Sequence, residues 1–247
     1  AESDWILWGP YSRDLAGLRN AFIYELSNQT GNYAVRTRFV EVFLNVSGSN
    51  VTIDDYAGFY IFMEKIKRDN DRVNVEALTS IDNTAPNVNG GYILRIDKSD
   101  PGQNRIGNGS IVQQPMYCEY PSPTDITPQQ ETYITDYVID FEAQLSNPDP
   151  STGYPSVINV DTSVNHNMFN LLGKNADGLR YSTYMHKTRN GKLSMGPIWD
   201  FDRSVDSNGD GRDDNPLGWT ALRSDGVESD YINYTLARHW WGLLFEN

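Results

Sequence analysis

In this chain the strand-like segments come in pairs joined by turn-forming residues, and no strand is followed by a helix and second strand at the spacing a parallel crossover needs. The run "RFVEVFLNV" (38–46) is apolar and β-branched, a Gly/Asn/Asp-rich turn follows at 47–55, and "YAGFYIFMEKI" (56–66) resumes the pattern. The pair predicts a hairpin. A third strand, "GGYILRID" (90–97), follows Pro86 and the Gly90-Gly91 pair, while "RYSTYMHKT", the turn "RNG" and "KLSMGPIWDFD" (180–202) predict a second hairpin. Helical spacing marks "SRDLAGLRNAFIYELSNQTG" (12–31), with Ser12 as cap, an apolar stripe of Leu15, Leu18, Phe22, Ile23 and Leu26, and Gly31 as stop. It marks "PQQETYITDYVIDFEAQLS" (128–146) and "SVNHNMFNLLGKN" (163–175) too, and the end of the chain, "INYTLARHWWGLLFEN", reads as an amphipathic helix. Residues 97–128, with five prolines, read as loop. The order is helix, sheet, then helices with a small sheet among them, which predicts an α+β fold in two lobes.

A chain of 247 residues with 38 % hydrophobic residues, six Trp and fifteen Tyr buries roughly 70 % of its unfolded surface, enough for a substantial core. The net charge of −13 repels phosphate backbones and argues against nucleic acid as a partner. Cys118, the single cysteine, excludes an internal disulfide framework and a cysteine-based zinc site. No run reaches the roughly 18 apolar residues of a membrane span, and no signal peptide is visible. The chain opens on Ala1 and ends inside a helical pattern, so both ends read as cut. Acidity, scarcity of Cys and richness in Asn, Asp, Gly and Tyr suit a secreted or surface-exposed bacterial protein.

The stretch "GPIWDFDRSVDSNGDGRDD" (196–214) carries six aspartates directly after an apolar run. If the strand continues through it, Asp200 and Asp202 share a face and aim two carboxylates at one spot, the arrangement that suits Mg²⁺ with phosphates and waters. The alternative is a strand end whose acids cap a helix or face water. Asp206, Asn208 and Asp210, with Gly211 at the sharp turn, match the start of a calcium loop; Leu217 stands at the twelfth position, so Asp213 or Asp214 would have to substitute. Asp177, in an Asp-Gly turn between helix and strand, suits either a general base or a simple turn. Lys65, Lys67, Arg68 and Arg72 concentrate positive charge that meets phosphate or pairs with the surplus acids. His166, His186 and His239 lack metal-ligand spacing, and Trp240 and Trp241 read as core anchors.

Taken in order, "DWILWGPYSRDLAGLRNAFIYEL", "GFYIFMEKIKRDNDRVNV", "GGYILRID", "KNADGLRYSTYMHK" and "GPIWDFD" resemble the spore coat protein H (CotH) kinase family over nearly the whole chain. The resemblance implies an atypical, secreted, protein-kinase-like domain spanning 1–247, with 1–96 as the N-lobe and hinge and 97–247 as the C-lobe. The family's glycine-bearing turn and phosphate-gripping strand lysine would lie ahead of Ala1, so the N-terminal strands read as truncated. ATP and Mg²⁺ or Mn²⁺ would serve phosphoryl transfer to Ser or Thr of proteins at the cell or spore surface. Asp177 resembles the catalytic-loop aspartate, Asp200 or Asp202 the metal-binding aspartate, and Glu25 the helix glutamate that pairs with the missing lysine. Residues 60–66 would form the hinge beside adenine, and Glu64, Lys65 and Lys67 would be nucleotide-binding. Ser182 stands where ordinary kinases place a metal-binding Asn. Asp206, Asn208, Asp210 and Asp214 would hold a structural Ca²⁺. The competing reading is a non-catalytic, calcium-stabilised module that binds polysaccharide or a protein partner on the same scaffold.

Overall fold

The computed structural model describes residues 3–103, 105–106, 115–175, 177–207, 209, 213 and 240–245. They form a mixed α and β fold in which both sheets are antiparallel, as the paired strand patterns require. The first sheet has the order β1-β3-β2, from Trp5–Trp8, Tyr56–Glu64 and Thr37–Phe43. The β2–β3 hairpin is the one expected; β1, too short for a clear pattern, adds to the far side of β3 with Trp5 opposite Glu64.

The second sheet has the order β5-β6-β4-β7-β8, built from Arg105–Ile106, Met116–Tyr120, Tyr92–Ile96, Thr183–Lys187 and Leu193–Met195. Two expectations change here. The segment 97–128 is not all loop, since "MYCEY" pairs as β6 with β4 despite the prolines around it. And β4, on the N-lobe side of the expected boundary at residue 96, is the central strand of this second sheet, whose other four strands all follow that residue.

Strand β4 also divides the interior, because successive side chains point to opposite faces. Tyr92, Leu94 and Ile96 enter one core with Ile134, Val138 and Phe141 of α2 (Pro128–Gln144) and with Trp240 and Trp241 of α5 (Trp240–Phe245). Ile93 enters the other, with Ile23 and Tyr24 of α1 (Arg19–Gln29), Ile61 and Met63 of β3, Phe169 of α4 (Val160–Gly173), Ile198 and Phe201. A short α3 (Tyr154–Val157) precedes α4. Helix α2 starts as its sequence dictates, with Thr127 and Gln130 forming a reciprocal capping box ahead of Pro128. Trp240 is a core anchor, its indole N–H donating to the buried Glu142 carboxylate at 2.9 Å.

Helix α1 departs from its pattern. It begins at Arg19, not near Ser12, because the buried Asp14 carboxylate accepts from the Arg19 N–H and pairs with its guanidinium, both at 2.8 Å. The stripe also rotates. Leu15, Leu18 and Phe22 are 62 %, 53 % and 58 % exposed, while Asn20, Ile23, Tyr24 and Ser27 face inward. Polar groups on that face have backbone partners in the 200–201 segment, and those bonds set the helix rotation.

Two predictions arise from the packing. Gly91 (φ +103°) passes so close to the Glu76 carbonyl that a Cβ would stand 2.3 Å from its oxygen. Gly91→Ala is expected to cost about 2–4 kcal/mol in urea titrations. His166, stacked on Trp241 at 5.5 Å, is pushed down to about 4 by burial. It is bound neutral in the fold but titrates near 6.5 when unfolded, so its contribution is complete above pH 6.5 and is lost as pH falls from there toward 4. A melting series over that range should show the decline, and His166→Phe should flatten it.

Candidate functional site

The site is built on the segment after β8. The strand ends at Met195, so Asp200 and Asp202 do not share a strand face as expected. They meet by a different route. Ile198 and Phe201 are buried in the second core, and Asp200 turns away from them at φ +62°. A non-glycine residue held there is strained, and its neighbours hold it in place.

Those neighbours come from three directions. From α1, the Tyr24 hydroxyl oxygen accepts from the Asp200 N–H at 3.0 Å, and Asn20 Oδ1 accepts from the Phe201 N–H at 2.6 Å. The Tyr24 ring stacks on Trp199. From the turn after α4, Asn175 donates through Nδ2 to the Asp200 carbonyl at 3.2 Å, while its Oδ1 accepts from the N–H groups of Asp177 and Gly178. From the loop before β7, Ser182 (φ +51°) donates its hydroxyl to Asp200 Oδ2 at 2.9 Å. Asn175 therefore ties the Asp177 turn to Asp200 through the backbone of both.

Asp177 is buried and sits between two guanidinium groups, Arg180 at 3.0 Å and Arg203 at 2.9 Å. Burial, followed by the charge of Asp200 and a hydrogen bond donated to its carboxylate, pushes Asp202 up to about 7. Burial also raises Asp200, with Asp97 and Asp177 adding repulsion and the bonds from Ser182 and Asp202 opposing it. Burial and the repulsion between two carboxyl groups this close, when both are ionised, raise the pair above the ordinary carboxylate range. Oxygen-only donors of this kind suit a hard divalent ion such as Mg²⁺ or Mn²⁺, which takes one or two carboxylates and completes its shell with phosphate and water. Among the described residues no three His, Cys, Asp or Glu side chains form a ligand set by themselves.

The structure joins the Asp177 turn to Asp200 through Asn175, with Asp202 two residues further on, and separates the rest. Glu25 is exposed on the outer side of α1, where Gln29 donates to it at 2.9 Å. Glu64 is fully buried and already committed: Arg36 forks onto it, Arg72 lies at 3.4 Å, and the Tyr33 hydroxyl and Arg36 N–H donate to it at 3.1 and 3.0 Å. The other expected phosphate contacts are likewise structural. Lys67 pairs with Asp4 at 2.8 Å, Arg68 donates to the Val75 carbonyl, and buried Arg72 donates to the carbonyls of Asp4 and Lys65 while lying over Trp5. Lys65 remains exposed.

Asp206 is described and exposed; Asn208, Asp210, Asp214, Gly211 and Leu217 lie outside the described residues. Asp206 and Ser207 are tied to Asp213 by hydrogen bonds of 3.0 and 2.8 Å, and the buried atoms Asp213 Oδ1 and Ser207 Oγ have no partner among the described residues.

Sequence reasoning missed Asn20, Tyr24, Asn175 and Asp97. The first two were legible as polar residues four apart on a helix, a pattern that outweighs an apolar stripe when both have backbone partners. Asn175 and Asp97 carry no local signal, since their role depends on segments distant in the chain.

No helix among the described residues is long and apolar enough to cross a membrane. The comparison with curated proteins gives no match. The family model described as CotH kinase protein matches residues 2–247, so the chain belongs to the CotH kinase family, and that membership points to a kinase-like function.

Proposed function

We propose that this chain is an atypical, two-lobed, protein-kinase-like domain that transfers the γ-phosphate of ATP to a Ser or Thr hydroxyl of an extracellular or surface protein. The observation that carries the reading is the half-buried Asp200, held at φ +62° by its bonds with Tyr24, Asn175 and Ser182, two residues from Asp202 and tied through Asn175 to the buried Asp177 turn. Mg²⁺ or Mn²⁺ held there would supply positive charge to offset that developing on the transferred phosphate. Asp200 and Asp202 would be the residues that hold it, and Ser182 orients Asp200 by its hydroxyl bond. Asp177 aligns the acceptor hydroxyl and takes its proton at a carboxylate oxygen as the bond from γ-phosphorus to ADP breaks and the bond to the acceptor oxygen forms. Arg180 and Arg203 fix the orientation of that carboxylate. Incubation with labelled ATP and Mn²⁺ is expected to label the protein itself or a Ser-rich partner. Label that persists in Asp177→Ala/Asp200→Ala would overturn the reading.

The unpartnered Asp213 Oδ1 and Ser207 Oγ favour a structural Ca²⁺ at this loop. In the second reading that ion stabilises a non-catalytic surface module, which binds polysaccharide or a protein partner. Calorimetry separates the two: nucleotide affinity that needs Mg²⁺ supports the first, and glycan affinity that needs Ca²⁺, with no nucleotide response, supports the second. Loss of the Ca²⁺-induced rise in melting temperature in Asp213→Asn would locate the ion.

A further inference from the structure

Away from the acid pair, a cavity of about 200 Å³ opens between the C-terminal end of α1, the 72–74 loop, α4 and the segment 195–198. In a chain with 33 acidic residues, none lines it. Its one full charge, Arg72, is matched by Glu64. The remaining polar groups include two imidazoles, His166 and His186, and the amides of Asn74 and Asn165.

Neighbouring groups fix the tautomer of each ring. Asn170 Nδ2 lies 2.9 Å from the His166 carbonyl and 3.2 Å from His166 Nδ1. The carbonyl can only accept, so this atom is the amide nitrogen, and His166 Nδ1 must accept its second hydrogen. The neutral ring then carries its proton on Nε2. His186 Nδ1 lies 3.0 Å from the Gly196 carbonyl, so there Nδ1 is the donor and Nε2 keeps a lone pair. Burial keeps both rings neutral, opposed in His186 by the bond to Gly196. Among the described residues neither Nε2 has a hydrogen-bond partner. The cavity thus offers one N–H and one lone pair against an apolar wall of Phe169 and Ile198.

We propose that this cavity binds a small uncharged polyhydroxylated ring, a monosaccharide or cyclic polyol, whose hydroxyls accept from His166 Nε2–H and donate to His186 Nε2. A hydroxyl does both, and ring C–H groups pack on Phe169 and Ile198. A carboxylate or phosphate has no hydrogen for His186 when ionised and finds its only cation already paired. An ammonium ion finds no acid.

Glucose, myo-inositol and glycerol are the probes, used on the whole chain by calorimetry and by NMR of the histidine ring nitrogens. At least one of the two rings is expected to bind saturably at millimolar concentration, more tightly than glycerol, and to shift both Nε2 resonances. Asn165→Leu, at a partly exposed position with no structural hydrogen bond among the described residues, and His186→Phe are each expected to weaken binding about tenfold. Asp200→Asn is expected to leave it unchanged, so this result stands apart from that of the phosphotransfer assay. Absence of any shift with all three probes, binding that survives both cavity substitutions, or displacement of the ring by inorganic phosphate would overturn the proposal.

Discussion

Asp200→Asn is expected to remove phosphotransfer, a loss of at least about a thousandfold, while raising the stability of the metal-free protein by about 1–2 kcal/mol. Both effects have one cause. Two carboxyl groups in a half-buried site repel each other and shed their proton reluctantly, and under the proposed function the same pairing would serve to hold a divalent ion. An amide at position 200 still accepts from Ser182 and leaves in place the backbone N–H bond to Tyr24 and the bond from Asn175 to the carbonyl, so the fold loses no anchor. Residues serving chemistry commonly cost stability in this way. Thermal melting without metal, beside the labelled-ATP assay, decides the matter. A variant that melts lower and keeps its activity would make Asp200 a structural residue.

Glu64→Ala is expected to have the largest effect on stability, a loss of about 3–5 kcal/mol. Arg72, with its side chain 1 % exposed, would keep its charge in the interior without its carboxylate partner, and Tyr33 and the Arg36 N–H would lose their acceptor. Glu64→Ala/Arg72→Met should recover part of the loss, because removing both charges is less costly than stranding one. Urea titrations of the single and double variants test this, and a single variant within 1 kcal/mol of the parent would contradict it. The pH dependence has a definite sign. Burial raises the Glu64 carboxyl, but Arg36, by side chain and backbone, and Tyr33 outweigh burial and hold it below its ordinary 4.5. Its contribution is therefore complete above pH 4.5 and is lost as pH falls through the folded value. His166 declines in the same direction but from higher pH, so acid weakens the protein in two steps.

These two residues show where local reading succeeds and where it stops. Asp200 stood out because like charge concentrated after an apolar run needs a reason wherever it occurs. Glu64 sat in an equally conspicuous charged stretch, yet the family resemblance implied a nucleotide contact for it. Its partners are Tyr33 and Arg36, about thirty residues earlier, and Arg72.

The sequence by itself determined the antiparallel pairing, the α2 capping box, the burial of Trp240 and the density of charge that singles out the segment around Asp200 and Asp202. Each rests on a local rule: side-chain period, turn chemistry, a cap reached within three residues, or charge density. Only the tertiary structure decided the rotation of α1, the placement of β4 between two cores, the commitment of Glu64 and the tautomers of His166 and His186. The physical reason is that a buried polar group takes whatever partner the fold brings within hydrogen-bonding distance, and that bond outweighs the weaker preference of an apolar stripe or a charged run.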